Sequence, residues 1–301
     1  MISGPGFRIG PAALVEIAGK DRDSFLQGQC TNDVLRLAPG AVARAATLSP
    51  KGKLLADFRI ARLDPIRILT APGRAAALAS HLRKYAVFQD VRIENVESEL
   101  FLIELYGSGP LPAPAPGRLV DSSFAGHPVQ VWPPFFETSA SWLVSRQAAP
   151  AVEAELSSSR ARVSPEDAEC LRIEAGRPEY GKDMDDSNLP DEIGMDDAIS
   201  TTKGCYVGQE IVARLRTYGR VNRRLVGWAF SPSWLPVPGT RLGRPGEPDR
   251  ELGVVTSSAD SPRLGPIGLG FTHRDVGEGE GLCPAGDASR IATVAPVRRT
   301  V

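Results

Sequence analysis

Residues 203–210 (KGCYVGQE), named the octet, combine the residue types of a reactive thiol. Cys205 follows Lys203 by two positions and lies between two glycines, which predict a tight turn. The apolar-periodic run 211–215 that follows predicts a helix. A nearby cation and the positive end of a helix dipole both favour thiolate, so Cys205 is a candidate catalytic thiol with Lys203 beside it. The alternative is an ordinary glycine turn around a buried, inert cysteine.

A second candidate is an acid inside a predicted strand. In residues 54–60 (LLADFRI), alternation places four apolar side chains on one face and Asp57 with Arg59 on the other. Aspartate is unfavourable in strands, so its presence needs an explanation. Either it forms a same-face ion pair with Arg59, worth about 0–1 kcal/mol if exposed, or it lines a cleft as a functional acid.

A third candidate, Glu174, lies near the end of a predicted helix. Ser164 and Pro165 form a strong helix start, and Gly176 predicts its end. The negative helix C-terminus is mildly unfavourable for a carboxylate. A ligand with two adjacent N–H donors offsets that cost, because a carboxylate accepts such a pair bidentately. The alternative is a solvent-facing glutamate at a fraying helix end.

A local concentration of positive charge follows the octet. It is a solvated face between domains, or a site for a polyanionic tail or nucleic-acid phosphates. The cluster consists of Arg214, Arg216, Arg220, Arg223 and Arg224.

The bulk composition indicates a globular chain without a strong overall field. The 301 residues are 42% hydrophobic and 24% charged, and the formal net charge is -1. No stretch approaches the roughly 20 apolar residues of a membrane span, and the first residues lack the order of a signal peptide. We therefore expect a cytoplasmic protein without membrane contact. The four cysteines form no C-x-x-C pair, which predicts free thiols and no metal knuckle.

The pattern of elements predicts an α+β fold in two domains, residues 1–218 and 219–301. The first mixes helices and strands, with a Pro/Gly-rich loop between subdomains at 107–117. In the second, short apolar runs recur between Gly, Pro and Asp turns, which predicts a closed antiparallel β domain. Helices are predicted at 21–29, 74–85, 148–156 and 164–175, and strands at 54–60, 88–93 and 100–106.

Five segments occur in the following order: FLQGQCTNDV at 25–34, PKGK at 50–53 leading to Asp57, LRKYAVF at 82–88, LRIEAG at 171–176, and the octet. Together they resemble the YgfZ folate-binding proteins, relatives of the glycine cleavage system T protein, an aminomethyltransferase. The resemblance covers most of residues 8–230, and the octet is its most specific part.

The resemblance implies a GcvT-like fold, with two intertwined α/β lobes around a central cavity and a C-terminal antiparallel β-barrel. It also implies that the cavity holds tetrahydrofolate, or a one-carbon or polyglutamyl derivative. Asp57 matches the aspartate that orients folate and serves one-carbon chemistry. Glu174 matches the glutamate that grips the pterin through its ring N–H and exocyclic amine. Gln29, Asn32 and Arg214 are implied to lie near the cavity.

Two functions follow from the resemblance. The first is an accessory protein that binds tetrahydrofolate and supports iron–sulfur cluster assembly or repair and iron–sulfur enzymes that modify tRNA, with Cys205 indispensable. The second is a folate-dependent aminomethyl- or methyltransferase, in which Asp57 and Glu174 act. The octet favours the first, because the T protein has no cysteine there. Asp57 keeps the second open, because some YgfZ proteins have an amide at this position. Expected partners are folate, iron–sulfur enzymes or assembly proteins, and tRNA through the arginine cluster.

Overall fold

The structure, a computed structural model, describes residues 4–108, 111–135, 138–247 and 250–297. Contacts within the chain divide it into two compact units. The N-terminal unit consists of residues 2–163 and 195–211, and the C-terminal unit of residues 164–194 and 212–301. The predicted domain boundary at residue 218 rests on a change in the pattern of apolar and turn residues along the chain. It stays a prediction.

One sheet of the N-terminal unit carries the strand with Asp57. Its strand order is β3-β4-β5-β2-β6, and helices α1 and α2 pack on its apolar face. Alternation along β4 buries Leu54, Ala56 and Phe58, as predicted, and leaves Asp57 half-buried on the other face. The elements are β2 (Leu14–Ala18), α1 (Arg22–Gln29), β3 (Val42–Leu48), β4 (Leu54–Ala61), β5 (Ile66–Thr70), α2 (Ala75–Arg83) and β6 (Arg92–Asn95).

The second sheet of this unit has the order β11-β1-β7-β10-β9-β8, covered by α3. The chain begins in this sheet with β1, leaves to form all of the other sheet, and returns with β7. The described part of loop 107–117 connects β7 to β8. The elements are β1 (Gly6–Pro11), β7 (Leu100–Tyr106), β8 (Val120–Phe124), β9 (His127–Trp132), β10 (Ala140–Ser145), α3 (Ala149–Ser157) and β11 (Ala161–Arg162).

A shared apolar cluster joins the two lobes within the N-terminal unit. Leu14 and Leu69 from one sheet pack with Trp132 and Leu143 from the other, and all four are buried. Burial of each side chain of this size contributes about 1.5–3 kcal/mol. The prediction of two intertwined α/β lobes is therefore confirmed.

The strand predicted at 88–93 is wrong in its first half, since β6 begins at Arg92. Phe88 is 99% exposed, so the alternation there has no buried face. The backbone N–H of Asp90 instead donates to the Asp21 carboxylate at 2.8 Å, and its carbonyl accepts from the Asp21 N–H at 3.2 Å. These bonds fix a turn before the strand.

The C-terminal unit contains a nearly closed antiparallel barrel, which confirms the predicted β-barrel. Its strand order is β13-β14-β15-β12-β17-β16, and a bridge between Gly243 and Cys283 joins the two outer strands. Each of these residues donates its N–H to the other's carbonyl at 2.9 Å. The strands are β12 (Arg223–Phe230), β13 (Arg241–Leu242), β14 (Gly253–Ser261), β15 (Gly265–His273), β16 (Gly281–Leu282) and β17 (Ala292–Ala295).

Three helices and a 3₁₀ turn complete the described elements: α4 (Pro165–Glu174), α5 (Pro190–Ile193), the turn Asp196–Ala198 and α6 (Gln209–Tyr218). Helix α4 begins as predicted, because Ser164 Oγ accepts the Asp167 N–H at 3.0 Å. Its Ile173 packs against Ile267 and Leu269 of the barrel. Across the described residues, no helix is long and apolar enough to span a bilayer.

Candidate functional site

Lys203 of the octet is buried and bonded to the end of helix α1. Its Nζ donates to the carbonyls of Gln27 at 2.5 Å, Cys30 at 2.7 Å and Asn32 at 2.9 Å. The last carbonyls of a helix lack partners within it, and a lysine ammonium both bonds them and matches the negative end of the dipole. Burial lowers the pKa of Lys203. Lys203 therefore anchors the octet to α1, and its predicted action on Cys205 stays a prediction.

The thiol of Cys205 is exposed between two side chains that face inward. Lys203 Nζ lies 5.0 Å from the centre of the buried Tyr206 ring, a cation–π contact. The Tyr206 N–H donates to Gln209 Oε1 at 3.2 Å, at the start of α6. The alternative of a buried cysteine is therefore wrong for Cys205. Cys30 shows the contrast: it is buried, and burial raises its pKa to about 11, which keeps it a thiol.

Gly208 locks the octet onto the hairpin that leads into the Asp57 strand. It has φ +84°, and a Cβ here would lie 2.6 Å from the carbonyl oxygen of Ser49. Gly52 in the same hairpin has φ +71°, and its Cβ would lie 2.9 Å from the Cβ of Ile211. Both positions require glycine for its backbone conformation and for the close approach. Two segments that are far apart in the sequence thus form one packed junction.

We expect Gly208→Ala to destabilise the N-terminal unit by about 1–3 kcal/mol from backbone strain, with a further cost from the contact with Ser49. Thermal unfolding followed by circular dichroism measures the loss. Gly204→Ala is the matched control within the octet, because nothing lies within 4 Å of its added Cβ. Equal thermal midpoints for the two variants would contradict the packed junction.

Asp57 lies beside a buried arginine that the sequence analysis missed. Arg44 of β3 approaches Asp57 with Nη2 at 3.9 Å from Oδ2, and its Nη1 lies 3.2 Å from Oδ1 of Asp197. The Asp57 side chain is 15% exposed, so it is accessible to solvent although Arg44 holds it in place. Arg59, the partner expected from alternation, donates to the carbonyl of Pro133 at 3.2 Å. The signal for Arg44 was a single charge inside the apolar strand VARAATL.

Gln29 and Asn32, both predicted near a folate, differ in what their amides do. Asn32 Nδ2 donates to the carbonyls of Arg44 at 2.7 Å and Asp197 at 3.3 Å, and its Oδ1 accepts the Asp33 N–H at 2.8 Å. This amide connects three segments of the unit. Gln29 Oε1, by contrast, is buried without a hydrogen-bond partner among the described residues. Such an acceptor is rare in a folded protein and suits a ligand donor. Both folate contacts stay predictions.

In the C-terminal unit, the Glu174 carboxylate is bonded by the β14–β15 hairpin. Ser261 Oγ donates to Oε1, and Arg263 donates to Oε2 from Nη2 at 2.6 Å and from Nε at 3.2 Å. Glu174 is therefore not the solvent-facing residue of the alternative interpretation, since its side chain is 10% exposed. Its predicted contact with a pterin stays a prediction.

The arginine cluster divides into structural and exposed members. Arg216 pairs with Asp191 at 2.7 Å, and Arg223 pairs with Glu192 at 3.2 Å. Arg224 donates to the carbonyl of Val276 at 2.9 Å. Arg214 and Arg220 are exposed. Any polyanion site therefore depends on these two, and the role predicted for Arg214 stays a prediction.

Comparisons with known proteins agree on one family. Residues 10–111 match the family described as the GCVT N-terminal domain. The chain is 30% identical over 264 residues to the tRNA-modifying protein YgfZ of Shigella dysenteriae serotype 1, covering 82% of this chain and 78% of that protein. It is 29% identical over 263 residues to the tRNA-modifying protein YgfZ of Hamiltonella defensa, covering 81% and 76%.

A solved structure has the same fold over almost the whole chain. It is the glycine cleavage system aminomethyltransferase T from Bartonella henselae, with a TM-score of 0.85 over 99% of this chain and 87% of that one. The sequences are 19% identical, so this likeness concerns the fold. The identity and coverage of the two YgfZ relatives assign the family, and the solved structure agrees with them in fold. The chain belongs to the YgfZ family and has the fold of the glycine cleavage T protein.

Proposed function

We propose that this protein binds tetrahydrofolate and supports iron–sulfur cluster assembly or repair, including that of iron–sulfur enzymes that modify tRNA. The observation that carries the proposal is the exposed Cys205 in a turn fixed on both sides. Lys203 holds one side to helix α1, and Gly208 holds the other to the β3–β4 hairpin. A turn so fixed presents the thiol to a partner at little ordering cost. The relatives named as tRNA-modifying proteins support the tRNA-related part.

The residues present fit a reduced pteridine with N–H donors on its ring. In the N-terminal unit, Asp57 is a partly accessible carboxylate and Gln29 Oε1 is a buried acceptor without a partner in the described chain. In the C-terminal unit, Glu174 is an acceptor already bonded by two donors. A bound folate would supply a carrier for one-carbon units, and each of these acceptors taken by itself is a candidate for a hydrogen bond from its N–H groups.

Calorimetric titration with tetrahydrofolate tests the binding. We expect saturable binding by the native chain and a roughly ten- to hundredfold weaker affinity for Asp57→Ala, because a hydrogen bond to a charged group contributes about 1.5–3 kcal/mol. Asp121→Ala, an exposed acid on β8 of the same unit, serves as control and should bind like the native chain. Absence of saturable heat in the native chain, or equal affinities for both variants, would contradict the proposal.

The second candidate is a folate-dependent transferase that moves a methyl or methylene from an amine or sulfonium donor. The observation that favours it is the partly accessible carboxylate of Asp57, which Arg44 approaches at 3.9 Å. Turnover decides between the two functions. Purified protein with tetrahydrofolate and candidate donors should form methyl- or methylene-folate, and Asp57→Asn should abolish that product. No product from any donor leaves the accessory function.

A further inference from the structure

Both carboxylate oxygens of Glu174 accept hydrogen bonds. A carboxylate oxygen accepts about two hydrogen bonds. Oε2 receives both from Arg263, through Nη2 at 2.6 Å and Nε at 3.2 Å. Oε1 receives one from Ser261 Oγ and a long one from the Cys170 thiol, whose Sγ lies 4.0 Å away. A ligand that bonds the carboxylate bidentately must therefore displace Arg263 from Oε2.

Ser261 and Arg263 differ in how readily each can break its hydrogen bond to Glu174. Ser261 is buried, and its Oγ also accepts the N–H groups of Arg263 at 3.1 Å and Leu264 at 2.9 Å. These bonds fix the serine within the hairpin turn. The Arg263 side chain is 60% exposed, so water can take over its guanidinium when it leaves Glu174. Arg263 is the displaceable partner, and Ser261 stays in place.

We propose that Arg263 is an affinity-determining residue that occupies Glu174 in place of a pteridine. Its Nε–H and Nη2–H form a pair of neighbouring donors, the same pattern as a ring N–H beside an exocyclic amine. This inference rests on the proposed function, since it takes Glu174 as the acceptor for the ring. The guanidinium competes with the ring for Oε2, so it lowers the affinity of the native chain for folate. Because the competing pair is charged and partly exposed, salt weakens the competition.

Calorimetric titration of the full chain with monoglutamyl tetrahydrofolate tests the inference. We expect Arg263→Ala to bind about two- to fivefold more tightly than the native chain, the factor that corresponds to a partly exposed ion pair. The ratio of the two dissociation constants should approach one as NaCl rises from about 50 mM to about 500 mM. Arg290→Ala is the matched control, because Arg290 forms an exposed pair with Asp287 at 3.1 Å in the same unit. It should leave the affinity unchanged.

The outcomes separate the inference from the function on which it rests. Absence of binding by the native chain rejects folate binding itself. Binding by the native chain with equal or weaker affinity in Arg263→Ala rejects the competition alone, and assigns the Arg263–Glu174 pair to holding the hairpin on α4. Should Arg263→Ala lower the thermal midpoint, Arg263→Lys replaces it, because lysine keeps the charge and lacks the two-donor fork. Tighter binding is expected for it as well, and equal or weaker binding overturns the proposal.

Discussion

Cys205→Ala is expected to abolish the support of iron–sulfur enzymes while leaving the fold intact. The Cys205 side chain is exposed, so its loss opens no cavity in the core. The contacts that shape the octet come from Lys203, Tyr206 and Gly208, which the substitution leaves in place. In a strain that lacks the native gene, the variant should restore iron–sulfur enzyme activity no better than an empty vector. Its thermal midpoint should match that of the native protein.

Two variants make this result specific to the thiol. Cys283→Ala removes a buried thiol in the barrel and should restore the enzyme activities. Lys203→Met removes the ammonium from the carbonyls of Gln27, Cys30 and Asn32, at about 1–3 kcal/mol for each buried group left unsatisfied. It should lose both stability and support. Full restoration by Cys205→Ala would remove the thiol from the proposed function.

Local patterns predicted the elements, and distant contacts decided what the site residues do. The Ser164 cap, the alternation along β4 and the short runs of the barrel are properties of neighbouring residues, so they were visible in the sequence. The ammonium of Lys203 binds carbonyls 171 to 176 positions earlier, which no local pattern encodes.

The same limit applies to the acids of the candidate site. Alternation correctly placed Asp57 opposite the apolar face of β4, yet it could not identify Arg44 on the neighbouring strand as a partner. Pairing of β3 with β4 sets Ala46 opposite Asp57 and Arg44 opposite Arg59, so the Asp57–Arg44 contact is a diagonal one. Arg263 lies 89 positions from Glu174 along the chain, so only the structure reveals that Arg263 donates to this carboxylate. For this family, the sequence thus predicts the fold and the candidate site residues. It does not predict which charged side chains pair with them.

The buried charge that binds helix α4 to the barrel is Arg172, which is 1% exposed. Its Nη1 donates to Asp183 at 2.6 Å, its Nη2 to Ser257 Oγ of β14 at 2.8 Å, and both Nε and Nη2 to Glu169. Burial acts to raise the pKa of Glu169, but the hydrogen bonds and charges of Arg172 and Lys182 outweigh it and hold the pKa at about 2. Glu169 is therefore ionised at neutral pH.

Arg172→Met is accordingly expected to destabilise the C-terminal unit by about 3–5 kcal/mol, because it leaves the buried Asp183 carboxylate without its counter-charge. Urea unfolding followed by tryptophan fluorescence measures the loss, and hydrogen exchange of the barrel amides assigns it to this unit. The double variant Arg172→Met with Asp183→Asn should recover part of it, since the uncompensated anion is gone. Arg290→Ala, an exposed pair in the same unit, should cost less than about 1 kcal/mol. A loss for Arg172→Met no larger than that would show that α4 is held to the barrel by its apolar contacts alone.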